Sequence, residues 1–314
     1  MKKNERYIVV IGGINIDLKA IVDGEFRIGN MNKGTTSISL GGVGWNIALN
    51  LSYLDIPVKL ISALGKDAFG RDALKKAKEA KIDMGHTIVS DKYTSSTVMI
   101  ISDSEKEAET GVKAINPLKL ITIDYLKEKA SVIDEAAYCI VDASLPRKVL
   151  EHLEDYHKKT VFFIDPASET ESERLQHFIG KFEIVKPNQQ EAETLSGVKI
   201  IDVTDAKKAG QKLIEKGVRH VFITLDDGGT VYCSEEEDLF IDVPTIDSIS
   251  STGAGDALIS AMVYCFYHDR EIEYSIKFSI AASVLTLKSE NPVHPEFSEN
   301  NIKETMKELG FLGN

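Results

Sequence analysis

Cysteine is scarce: three in 314 residues, at Cys139, Cys233 and Cys265. No two form a CxxC pair, and two lie in apolar runs. Such an odd, widely spaced set speaks against a disulfide framework and fits reduced core thiols in a cytosolic protein. Positive charge is also in deficit, with 37 Lys and Arg against 49 Asp and Glu and a net charge of −12. That argues against a nucleic-acid polymer or an anionic membrane surface as the main partner. A small anionic ligand stays open, held by local amides and a metal ion. Long apolar stretches are missing, so no membrane span is expected. The apolar run in MKKNERYIVVIGG is too short for a secretory signal, which leaves the cytoplasm as the default location. No HxxxH or HxH pair occurs, so no zinc site is expected. His152 and His157 sit on a charged helix, and His294 lies between prolines. No GxxxxGK[ST] occurs, which excludes a Walker-type NTPase. GGVGWN fails as a dinucleotide fingerprint because Ile47 holds the third glycine position.

What is present is an ordinary globular composition, 43% hydrophobic, enough for a sizeable core. Short apolar runs at 7–11, 58–62, 137–142, 160–165, 183–186 and 220–225 read as strands buried on both faces. Helical patterns fall between and after them, at 45–54, 68–80, 146–157, 189–196, 203–216, 257–266, 271–288 and 299–309. This alternation predicts an α/β fold built from right-handed βαβ units, with a parallel sheet between helical layers. Two segments interrupt it. Residues 14–40 are polar, glycine-rich and alternating. Residues 95–115 read as a hairpin, SSTVMIIS and TGVKAI around the charged turn SEKEAE. Together they form one small sheet at one end of the main body. No repeat or low-complexity linker divides the chain, so residues 1–314 are read as one domain.

The stretch STGAGDALISAMVYCF places Gly253, Ala254 and Gly255 at the start of a helix that is apolar almost all round. Close-packed backbone amides at a helix start make an anion site. Asp256 then falls in the first turn, where a carboxylate equally well just complements the helix dipole. LGGVGWNIALN offers Gly41 and Gly42 for close backbone approach and Asn46 at a second helix start. In KPNQQE, Asn188 and Glu191 have the spacing of a capping box, the more frequent reading of such a pair. A carboxylate and an amide at a strand end would equally orient hydrated magnesium. TLDDGG ends a strand with Thr224 and Gly229, and GGINID delivers Asn15 and Asp17 after the first strand. In open α/β sheets ligands bind beyond the carboxyl ends of the strands, and all five loops converge there.

In order and spacing, GGVGWNIALNLSYLDIPVKLISALGKDAFG, KPNQQE and STGAGDALISAM resemble the ribokinase-like (PfkB) carbohydrate kinases over essentially the whole chain. NKGTTSISLGGVGWN, KPNQQEAETLSG and ENPVHPEFS are similar to the branch that phosphorylates pseudouridine. The resemblance implies a three-layer sandwich with a mostly parallel central sheet and a small β-sheet lid, formed by insertions at about 14–40 and 95–115. It implies ATP-dependent transfer to a primary hydroxyl, most simply the 5′-hydroxyl of a nucleoside, with another sugar or nucleoside as the rival acceptor. A non-catalytic sensor of the same fold is the second rival. Asp256 would be the catalytic base, with Gly253, Ala254 and Gly255 as the anion hole. Asn15, Asp17, Gly41, Gly42 and Asn46 would hold the sugar. Asn188 and Glu191 would organise phosphates and Mg2+, Glu191 through water. Thr224 and Gly229 would border the nucleotide, and the lid would build a homodimer.

Four positions depart from the family pattern. Ser250 stands where relatives commonly have an aspartate of a monovalent-cation site, which weighs against potassium activation. Asp226 replaces a glycine, Trp45 an arginine usual in the pseudouridine branch, and Asn116-Pro117 follows Ala-Ile in place of Asp-Met. The last two suggest Asn116 as the acceptor for the base and Trp45 as a wall beside its ring. The helix dipole is expected to keep Asp256 ionised at neutral pH.

Overall fold

The computed structural model describes residues 6–103, 109–156, 159–226, 228–243 and 248–312. Residues 104–108 of the charged turn, His157 and Asp227 of TLDDGG lie outside the described residues. The strands in chain order are β1 (Ile8–Ile11), β2 (Asn15–Val22), β3 (Gly34–Gly41), β4 (Val58–Ile61), β5 (Ala63–Gly65), β6 (Ile88–Ser90), β7 (Ser96–Asp103) and β8 (Glu109–Ala114). After these come β9 (Cys139–Asp142), β10 (Phe162–Asp165), β11 (Ile184–Val185), β12 (His220–Thr224), β13 (Thr230–Cys233) and β14 (Asp238–Ile241).

The main sheet runs β14-β13-β12-β11-β10-β9-β1-β4. All neighbours from β12 to β4 pair in parallel. The β12–β13 and β13–β14 pairs are antiparallel. The six apolar runs read from sequence are the six parallel strands. The outermost strand, β14, carried no comparable signal, because Asp238 and its neighbours are only half-buried.

Why these runs are continuous is visible in the packing. Along β1, Ile8 and Val10 join one apolar cluster, while Val9 and Ile11 join another. The same alternation separates Ile140 and Phe163 from Cys139, Val141, Phe162 and Ile164. Both faces are therefore covered by helices, giving a three-layer α/β sandwich. Helices Val43–Tyr53, Ala254–Tyr267 and Ile272–Leu287 lie over one face, and Arg147–Tyr156 and Val203–Glu215 over the other. Each fully buried Phe or Ile contributes roughly 1.5–3 kcal/mol over its exposed state. The three cysteines are free and buried.

A four-stranded sheet stands apart, in the order β3-β2-β7-β8. β2 and β3 pair antiparallel, as do β7 and β8, and β2 joins β7 in parallel register, Asn15 opposite Ser96. The two insertions do build one small sheet. Among the described residues no helix is long and apolar enough to cross a membrane.

Candidate active site

Side chains at the carboxyl ends of consecutive parallel strands define the site. Asp142 ends β9, Asp165 ends β10, Lys186 follows β11, and Thr224 ends β12. Asp142 is 2% exposed and accepts from the Gly13 amide at 2.9 Å and the Ser144 amide at 2.8 Å. It thereby pins the turn after β1 that delivers Asn15. The helix Val43–Tyr53 starts against this same turn. Trp45 N–H donates to the Gly13 carbonyl at 3.1 Å, and Asn46 N–H to the Gly42 carbonyl at 2.9 Å. Gly42 has φ 97°, and a Cβ there would lie 2.7 Å from the Gly13 oxygen, so only glycine fits. A Cβ on Gly41 would run into the carboxylate of Asp17, whose pKa burial raises.

From the other side comes the helix Ala254–Tyr267. Its N-cap, Gly253, has φ 84°, and a Cβ there would lie 1.9 Å from the Pro292 carbonyl oxygen. No side chain caps this end. The first-turn amides of Gly255 and Asp256 have no partner within the helix and form an anion-binding end. Beneath them lies Lys186: a Cβ on Gly255 would stand 2.8 Å from its Nζ. Lys186 pairs with Asp165 at 3.2 Å, both nearly fully buried. Burial would lower the ammonium pKa, but Asp165, Glu191 and Asp256 outweigh it and raise it.

Asp256 is 8% exposed, and Asn46 Nδ2 donates to its Oδ2 at 2.8 Å. Burial first, then repulsion from Asp165, pushes its pKa up to about 7; Asn46 and Lys186 pull it down by less. This corrects the expectation that the helix dipole keeps it low, since in a dry site desolvation outweighs a partial charge. Glu191 is also pushed up to about 7, by burial and then by Asp165.

Asn188 and Glu191 form the capping box: the Glu191 amide donates to Asn188 Oδ1 at 2.8 Å, and the Asn188 amide to Glu191 Oε2 at 2.9 Å. The box itself uses neither Glu191 Oε1 nor Asn188 Nδ2. Three buried carboxylates, Asp165, Glu191 and Asp256, act on one ammonium, and a divalent cation would add positive charge at this end of the sheet. Among the described residues no three His, Cys, Asp or Glu side chains stand ready to ligate a metal together. The free oxygen of the Glu191 carboxylate, a hard ligand, would fit a magnesium ion that keeps several waters.

Thr224 bridges to Asn188 in parallel pairing, and the Asp226 amide donates to Gln189 Oε1 at 3.2 Å. Gly229, with φ 91°, packs on Phe240 and Ile241 at the β12–β13 turn. The strand that leads into this turn is joined to the KPNQQE loop through Thr224. The two residues expected beside the base lie in different settings. Trp45 is 4% exposed and packs in the core, because its position on the helix faces the sheet. Asn116 lies past β8 in a 3-10 turn (Asn116–Leu120), exposed, accepting from Lys119 Nζ at 3.1 Å. Asp142, Asp165 and Lys186 escaped the sequence reading. Their signal was a charge closing a short apolar run, as in CIVD, FFID and IVK.

A nearly parallel open sheet with an amide-lined helix start and a buried carboxylate at its strand ends defines a small-molecule phosphotransferase. The chain belongs to the pfkB family of carbohydrate kinases, whose pattern it matches over residues 5–298. It is 26% identical over 302 residues to the pseudouridine kinase of Escherichia coli, covering 96% of each chain. Among solved structures it is similar to a putative sugar kinase from Clostridium perfringens, with TM-score 0.86, 27% identity and 96% of each chain covered. The Arabidopsis thaliana ribokinase complexed with ribose and ATP shares the fold, with TM-score 0.84, 18% identity, and 96% and 99% of the two chains covered. The protein is a kinase with an alcohol group as acceptor.

Proposed function

We propose that the protein transfers the terminal phosphoryl group of ATP to the 5′-hydroxyl of a nucleoside, with pseudouridine as the preferred acceptor. The observation that carries the chemistry is Asp256, a carboxylate with a pKa of about 7, buried beside the amides of a helix start. Phosphoryl transfer needs positioning and charge stabilisation more than covalent help. The acceptor hydroxyl gives its proton to Asp256 as its oxygen bonds to phosphorus and the bond to ADP breaks. The amides of Gly255 and Asp256 and the Lys186 ammonium stabilise charge on the moving group. Magnesium, when bound near Glu191 and Asn188 through water, neutralises phosphate charge.

Two buried acceptors, Asn15 Oδ1 and Asn46 Oδ1, have no partner among the described residues. Leaving a buried acceptor unpaired is costly, so both suit donors of the bound acceptor molecule. The likeness to pseudouridine kinase supports the choice of base. Pseudouridine carries a ring N–H that uridine lacks, and a site that bonds it discriminates strongly. Free ribose is the second reading, favoured by the shared fold with a ribose-bound ribokinase. A panel of pseudouridine, uridine, ribose and fructose, scored by product mass, tests the assignment. Equal kcat/KM for pseudouridine and uridine, or faster transfer to free ribose or fructose, refutes it.

The four-stranded sheet serves as the lid in this reading, within a single kinase unit. Asn15 and Asp17 lie on one face of β2, and Leu18 on the other. Leu18 aligns across the sheet with Ile38 and Met99, and Met99 with Val112. Ile38 and Val112 are 65% and 68% exposed. This apolar row on the outer face suits a second copy of the chain, and light scattering of the purified protein tests for a dimer. The free, buried thiols suit the cytoplasm as its compartment.

A further inference from the structure

Asn46 enters the proposed function as a holder of the acceptor molecule, yet its amide is also joined to the base. Both residues are buried, 4% and 8% exposed, and they lie 210 positions apart, in the first turns of two different helices. The helices Val43–Tyr53 and Ala254–Tyr267 pack together, with Ser260 Oγ donating to the Ile47 carbonyl at 3.5 Å. The backbone of Asn46 is fixed independently, through its own amide to Gly42 and that of Trp45 to Gly13. Its Cα position is therefore set by the fold and not by Asp256.

An ionised carboxylate only accepts, so the nitrogen of Asn46 must face Asp256 and the oxygen must point away. That oxygen is buried and has no partner among the described residues. Among the described residues, Asn46 makes the one side-chain hydrogen bond to the Asp256 carboxylate. The charged groups facing Asp256 are Asp165 and Asp142, which oppose ionisation, and Lys186, which favours it but is committed to Asp165. Glu191 lies beyond Lys186 and draws on the same ammonium.

We propose that Asn46 is the positioning residue of the base: Nδ2 orients Asp256 and favours its carboxylate form, while Oδ1 takes a donor from the acceptor molecule. Recognition of the acceptor and readiness of the base then pass through one amide. This rests on the kinase reading above.

The variants Asn46→Asp and Asn46→Ala of the full chain test it. Asn46→Asp keeps an acceptor oxygen in place and replaces the donor with a charge, so a residue that only holds the acceptor molecule tolerates it. The positioning role predicts a KM for the nucleoside changed by less than about threefold, and kcat at pH 7 lowered by at least about tenfold. The acid limb of the kcat profile then moves up by about one pH unit or more, since each unit of pKa is a factor of ten in ionisation. Asn46→Ala moves the limb the same way by less. Titration of the Asp256 carboxyl carbon by 13C NMR in the unliganded protein, identified with Asp256→Asn, moves in parallel.

A raised KM with unchanged kcat and limb overturns the proposal. So does a loss of kcat equal at every pH with an unmoved Asp256 titration. If the wild-type chain phosphorylates no nucleoside or sugar, the kinase reading of this site falls, and the carbon titration still decides whether Asn46 governs Asp256.

Discussion

Replacing Asp256 with asparagine separates activity from stability in opposite directions. The side chain keeps its shape, and its oxygen still accepts from Asn46. The lost base lowers kcat by about 10²–10⁴, the usual worth of general-base catalysis. Stability moves the other way. Burial and Asp165 raise the carboxyl pKa from 3.8 to about 7, so the folded protein disfavours the charged form. Below about pH 4 both folded and unfolded chains are protonated there, and the group costs nothing. Between about pH 4 and 7 the unfolded chain is ionised while the folded one is not, and the cost grows. Above pH 7 it levels off at up to about 4 kcal/mol. Asparagine removes that cost. The variant should therefore be more stable than the wild type at pH 8 by about 2–4 kcal/mol, and by less than about 2 kcal/mol at pH 5. Urea denaturation at the two pH values, with single-turnover kinetics at pH 8, measures both effects. A near-normal single-turnover rate, or a stability difference that is the same at both pH values, refutes the reasoning and leaves Asp256 as a helix-dipole residue.

Other perturbations test other parts of the site. Activity should require magnesium, and Glu191→Gln, which preserves the capping acceptor while removing the charge, should raise the concentration of magnesium needed without lowering the melting temperature. A lower melting temperature with unchanged metal dependence would mean that Glu191 only caps its helix. Lys186→Met strips the one ammonium from three buried carboxylates and should cost about 3–5 kcal/mol in urea denaturation at pH 8, with less at pH 5, where Asp256 and Glu191 are neutral. Gly253→Ala forces a β-carbon towards the Pro292 carbonyl at positive φ and should destabilise the fold by at least about 1–3 kcal/mol, with activity falling as the helix start shifts. Exchange of potassium for choline should leave the rate unchanged, because Ser250 lacks the carboxylate usual at its position in relatives.

Much of the architecture was legible before any fold was known. The central parallel strands announced themselves because they are buried on both faces, so no polar residue interrupts runs such as YIVVI or TVFFID. The helices Gln189–Ser196 and Val203–Glu215 begin where Asn188 and Asp202 cap them, both local interactions written in a few consecutive residues. Gly42 and Gly253 were visible as glycines beside helix starts, and the glycine loops pointed to an anion site at one sheet edge.

What the sequence left undecided depends on atoms far apart along the chain. The bond from Asn46 to Asp256 spans 210 positions, and the pair of Lys186 with Asp165 joins the ends of neighbouring strands. No local pattern states that burial, and after it repulsion from Asp165, lifts Asp256 to about 7 against the helix dipole. Trp45 reads as a ligand-facing residue from its place in GGVGWN, but the helix turns it into the core. Periodicity and caps are short-range and fix which segments become strands and helices. Charge, solvation and the facing of each side chain are long-range properties, and the tertiary structure alone sets them.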